Sequence, residues 1–149
     1  MGEVDTKQFV AKPGVGVMSR RRLRPTKLAA SVDVARPILI RVAKEGGRIT
    51  YKDLLACMGG HPGMGYIGEV LDRIVELERE ADCRKLSAVV VRVDTGMVSG
   101  GFFRLPGTPS KLLRTSPEEW RNPRLSVADR DYWQKQLNCV YEHQRSYAP

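Results

Sequence analysis

The stretch Gly46-Gly47-Arg48-Ile49-Thr50-Tyr51-Lys52-Asp53-Leu54-Leu55, followed by Gly59-Gly60-His61-Pro62-Gly63, decides how the rest of the chain is read. Paired glycines stop a preceding helix, because glycine adopts the left-handed conformation of a helix end without a steric penalty. Arg48 to Tyr51 then reads as a short β segment with Ile49 and Tyr51 on one face. Leu54, Leu55 and Met58 predict a second short helix from Lys52 to Met58. Three glycines and a proline between Gly59 and Gly63 cannot stay helical, so the chain turns there.

The reading extends outward on both sides. Upstream, Val34, Ile38 and Val42, with Leu39 alongside, predict a helix from Ser31, a candidate cap, to Lys44. Downstream, Ile67, Val70, Leu71, Ile74 and Leu77 recur at three- and four-residue intervals, the stripe of a helix over Met64 to Asp82. Leu86 to Val93 is rich in β-branched residues, Asp94-Thr95-Gly96 is a turn signal, and Met97 to Leu105 returns as a second strand. Gly100-Gly101 marks a bulge or a close backbone approach. This order predicts an α+β fold, a winged helix-turn-helix-like unit over residues 31–106. Residues 1–30 lack any period and are expected to form a flexible basic arm. Residues 107–149 read as a proline-containing linker and a last helix, Val127 to Gln144, capped by Ser126. Its Trp133, Leu137 and Val140 are expected to pack on the unit, with Trp120 and Trp133 as core anchors rather than a base-stacking platform.

A chain of 149 residues suits one core. Its 42% hydrophobic and 28% charged content is ordinary for a globular protein. No apolar run approaches the ~20 residues that span a bilayer, and no secretory signal follows the basic N-terminal residues. Cys57, Cys83 and Cys139 are odd in number and scattered, which points to thiols in a reducing cytoplasm. His61 and His143 supply no second ligand pair for Cys57, so no metal and no cofactor are expected. Glu118 and Glu119 are adjacent and diverge, and Gly14-x-Gly16 lacks a strand-to-helix context. With no catalytic residues in evidence, the chain reads as a non-enzyme.

The net charge of +8 is uneven, with +5 of it in residues 1–30. Arg20, Arg21, Arg22 and Arg24 occupy four of the six positions from Arg20 to Pro25, and Arg22-Leu23-Arg24-Pro25 is similar to the Arg-Gly-Arg-Pro of an AT-hook, with leucine for glycine. Such density favours a polyanion.

The run from Gly47 to Leu55, then Gly59, Pro62, Ile67-Gly68 and Leu71, resembles the winged-helix DNA-binding part of the methylated-DNA alkyltransferase and alkyltransferase-like family. The resemblance covers about 50 residues, a third of the chain, and implies that family's scaffold. The family's acceptor cysteine falls on Ala88 and its base-intruding arginine on Gly65, so neither acceptor nor finger is implied here. Cys83 lies five residues too early and has no histidine beside it.

The expected function is therefore that of a small, non-catalytic, regulatory or accessory protein that binds nucleic acid, in the form of double-stranded DNA. The candidate contacts are Arg20, Arg21, Arg22, Arg24 and Lys27 on the arm, Gly63, Gly65, Tyr66 and Arg73 about the third helix, and Arg48, Arg92 and Arg104 about the hairpin. Two alternatives stay open. One is a protein-interaction module that uses the acidic face of the third helix (Glu69, Asp72, Glu76). The other is an alkyltransferase-like lesion sensor.

Overall fold

The computed structural model describes residues 22–78 and 85–146. Helix α1 (Pro25–Lys44) leads through β1 (Ile49–Thr50) into α2 (Tyr51–Cys57), a 3-10 turn (Met64–Tyr66) and α3 (Ile67–Leu77). A 3-10 turn (Leu86–Val89), β2 (Val90–Val91) and a 3-10 turn (Gly100–Arg104) follow, then α4 (Pro117–Arg121) and α5 (Val127–Ser146). The fold is α+β and helix-rich, with one two-stranded sheet among the described residues. Its strands run parallel, Ile49 opposite Val90 and Thr50 opposite Val91.

Helix α1 starts six residues before Ser31 because Pro25 occupies its first turn, where a fixed φ helps and the missing N–H is not needed. Residues 25–30 of the expected arm are thus helical. The start of α1 also corrects the expected stripe. Val32, Ala35, Leu39 and Ala43 face the core, while Val34 is 48% exposed. The two alanines let the neighbouring segments come close. Gly46, at φ 67°, ends the helix, its N–H donating to the Ala43 carbonyl at 3.0 Å.

Thr50 caps α2 by accepting from the Asp53 N–H at 3.1 Å. The turn after it uses Gly59, Gly60 and Gly63 at positive φ, a conformation L side chains rarely adopt. In α3, Ile67, Val70, Leu71, Ile74 and Val75 are buried, while Leu77 at its end is 55% exposed.

The expected hairpin is where sequence and structure part. Arg92 N–H donates to the Met97 carbonyl at 2.8 Å, so the turn forms around Gly96. Beyond it the chain winds into a 3-10 turn instead of a strand. Phe102 and Phe103 are both buried, with rings edge to face at 5.4 Å. Successive residues of a strand point to opposite faces, so a strand covered on one face would bury only one of the two rings, whereas a helical turn brings both inward. The strand expected over Leu86 to Val93 is likewise reduced to Val90–Val91, which pairs with β1.

Helix α5 closes the core as expected. Ser126 and Asp129 cap it reciprocally, each backbone N–H donating to the other's side chain at 3.0 Å. Trp133, Leu137 and Val140 are buried, and Trp133 Nε1 donates to the Ala88 carbonyl at 2.8 Å. Tyr141 donates from its hydroxyl to the Gly47 carbonyl at 2.7 Å. No described helix is long and apolar enough to cross a membrane.

Candidate nucleic-acid interface

The glycine-rich turn and the start of α3 form the centre of the candidate surface. Gly65 has open space where a Cβ would stand, and Tyr66 beside it is half-buried. The end of the arm is tied to this place, since Leu23 N–H donates to Glu69 Oε1 at 3.0 Å. Arg22, exposed, therefore lines the same hollow of about 270 Å³ as Gly65. Arg24 stands just before the start of α1 and Lys27 lies in its first turn, both exposed. Arg20 and Arg21 lie outside the described residues, as do Cys83 and the α3 residues expected beyond Glu78.

Three of the expected cationic contacts are engaged within the fold. Arg73 pairs with Glu76 at 2.6 Å, Arg92 with Asp94 at 2.7 Å, and Arg104 with Asp72. The Arg104 guanidinium also lies 4.7 Å over the Trp120 ring. Arg48 donates to the Gly96 carbonyl at 3.4 Å and stays exposed. The same pairs change how the acidic face behaves. Glu69 accepts from the arm backbone, while Asp72, Glu76 and Glu78 pair with Arg104, Arg73 and Arg36. The Arg73–Glu76 pair, exposed on both sides, is worth about 0.2–1 kcal/mol, so a phosphate can compete for its arginine.

A second hollow of about 290 Å³ shares Asp72 and Arg104 with the first. Its wall includes Tyr51, Gly68, Leu71, Ser87, Ser99, Phe102 and Trp120. Tyr51 and Ser99 join hydroxyls at 2.9 Å, and burial pushes the Tyr51 phenol up from its ordinary value. Ser87 is buried, yet its Oγ has no hydrogen-bond partner, and neither has Trp120 Nε1. Ala88 is fully buried and offers only a methyl group. Trp120, half-buried at the rim, is not a core anchor in the way Trp133 is.

Lys85, at the base of the expected hairpin, is half-buried. Its Nζ donates to the Tyr132 hydroxyl at 2.6 Å and sits 5.2 and 5.7 Å from the ring centres of Tyr132 and Phe102. Burial pushes its ammonium down to about 8. Among the described residues no group of three or more His, Cys, Asp or Glu side chains is placed to hold a metal ion. Compared with family models, with curated proteins and with solved structures, the chain matches none.

Proposed function

We propose that this protein is a small, non-catalytic nucleic-acid-binding accessory or regulatory protein that docks on duplex DNA. The helix-turn-helix portion, α2 to α3, would present its glycine-rich turn to the backbone, with the tight turn over Asp94 to Gly96 in the role of a wing. The observation that carries this reading is the Leu23–Glu69 hydrogen bond, which seats Arg22 beside Gly65. Arm and helix start are then one surface. Slim glycines let phosphates approach, and arginines supply the charge that releases counterions.

The test is a fluorescence-anisotropy titration on a short duplex between 50 and 200 mM salt. If about five arm charges engage, log affinity falls with log salt at a slope near −4 to −5, on the ~0.9 per phosphate rule. Replacing Arg20, Arg21, Arg22 and Arg24 by alanine reduces that slope by three to four on the same ~0.9 rule. Absence of binding at low salt, or indifference to those four substitutions, would sink the proposal.

A second reading, the lesion sensor, would use the hollow of about 290 Å³ beside α3, lined by Tyr51, Ser99, Phe102 and Trp120. An acceptor cysteine is absent from Ala88, so the base would be held and not repaired. Under this reading a duplex with one alkylated base binds more tightly than its undamaged counterpart, and equal affinity excludes it. The protein-interaction alternative draws less support. The carboxylates it would use are paired within the chain, as are Arg73 and Arg104, so a basic partner would have to displace those arginines.

A further inference from the structure

Residues 111–125 carry four cations, Lys111, Arg114, Arg121 and Arg124, against two carboxylates. Two of these six charged groups hold the segment itself together. Glu119 Oε1 accepts from the backbone N–H groups of Thr115 and Ser116 at 3.0 and 2.9 Å. Arg114 acts as a staple. Its Nη1 donates to the carbonyls of Glu119 and Asn122 at 2.8 and 2.7 Å, and its Nη2 to the Arg124 carbonyl and Asp129 at 2.6 and 3.1 Å. The segment also sits directly on Gly100, where a Cβ would come within 2.2 Å of the Trp120 carbonyl oxygen. A stretch with only one five-residue helix is thereby fixed as a rigid strap.

Of the three other cations, Arg121 and Arg124 lie within the stapled stretch 114–125. Both are exposed, and neither joins an ion pair among the described residues. Arg121 lines the second hollow together with Met64 and Gly68, while Arg22 lines the first, and the Asp72–Arg104 pair belongs to both. Unpaired cations from two distant parts of the sequence therefore border one divided depression.

We propose that the strap of residues 114–125 is a second polyanion-contacting element, with Arg121 and Arg124 meeting the phosphate backbone across the Asp72–Arg104 ridge from the arm. This rests on the nucleic-acid reading above and adds where a second set of contacts lies. The partner it fits is a continuous nucleic-acid backbone, whose successive phosphates can meet arm and strap at once. Fixing the strap in advance lowers the ordering cost of binding, which is why two arginines on a rigid mount matter more than their number suggests.

The experiment uses the full chain, the same duplex and the same salt series. Four proteins are compared: wild type, R121A/R124A, R121K/R124K and R22A/R24A. The strap alanine variant is expected to lose about tenfold in affinity at low salt and to bring the slope closer to zero by about two, at ~0.9 per phosphate. The lysine variant keeps the wild-type slope, since it keeps the charges. A strap alanine variant with wild-type slope, beside an arm variant whose slope falls, overturns the strap and leaves the duplex reading intact. A wild-type chain that does not bind overturns both. If the lysine variant is as weak as the alanine one and both melt early, the strap is only structural and the inference fails.

Discussion

Lys85 shows how one side chain couples packing to pH. Burial holds its folded value near 8 against an ordinary 10.5. Between those values the unfolded chain binds more protons than the folded one, so stability rises as pH climbs from about 8 towards 10. Tyr51, Tyr132 and Tyr141 act the other way. Their phenols are raised by burial, and the stability they contribute is lost above pH 10 as the unfolded tyrosines ionise first. Denaturant titrations from pH 7.5 to 9.5 should therefore show a rise for the wild type and a flatter profile for Lys85→Met. Gly100 makes a sharper case, because no side chain fits against the Trp120 carbonyl. Gly100→Ala is expected to cost about 1–3 kcal/mol, as overpacking does, measured as a lower denaturation midpoint. At the interface, Glu76→Lys removes one carboxylate and releases Arg73 from its pair. Duplex affinity should rise several-fold at low salt, and a fall would count against duplex contact on this face.

At the scale of elements, legibility followed how local the deciding signal was. The core stripe of α3, except for Leu77 and Val75, the cap of α5 and the turn after α2 depend on residues within a few positions of one another, and local sequence carries them. The cap of α5 is testable in isolation: Ser126→Ala should lower stability by about 1 kcal/mol, read from thermal or urea unfolding. Helix α1 begins a turn and a half before Ser31, whose hydroxyl suits a cap, because Pro25 already offers a first turn. Its buried face also relies on Ala35 and Ala43, whose small side chains barely register in a hydropathy pattern. The second hairpin strand failed for a different reason. Phe102-Phe103 could have warned against it, since a strand half-buried on one face cannot hide both. The parallel pairing of β1 with β2 is beyond local reading, because its partners lie far apart in the chain.

For the molecule as a whole, the candidate surface was half legible. The arm's charge was plain in composition, yet its seat beside Gly65 depends on a bond between Leu23 and Glu69, 46 positions apart. The pairing of Arg104 with Asp72 and its stacking on Trp120 are equally non-local, and they turn an expected open contact into an engaged one. Charge counting along the chain cannot foresee such cancellations; only the folded arrangement decides which cations stay available.

Helix α5 reaches two separate places at once: Trp133 holds the carbonyl of Ala88, just before β2, and Tyr141 that of Gly47, just before β1. The short sheet thus cannot breathe alone, for parting its strands means lifting the last helix too. Amide protons at Thr50 and Val91 should therefore exchange with deuterium at the rate of global opening. A Trp133→Phe, Tyr141→Phe double variant should let that sheet exchange earlier than α3 does.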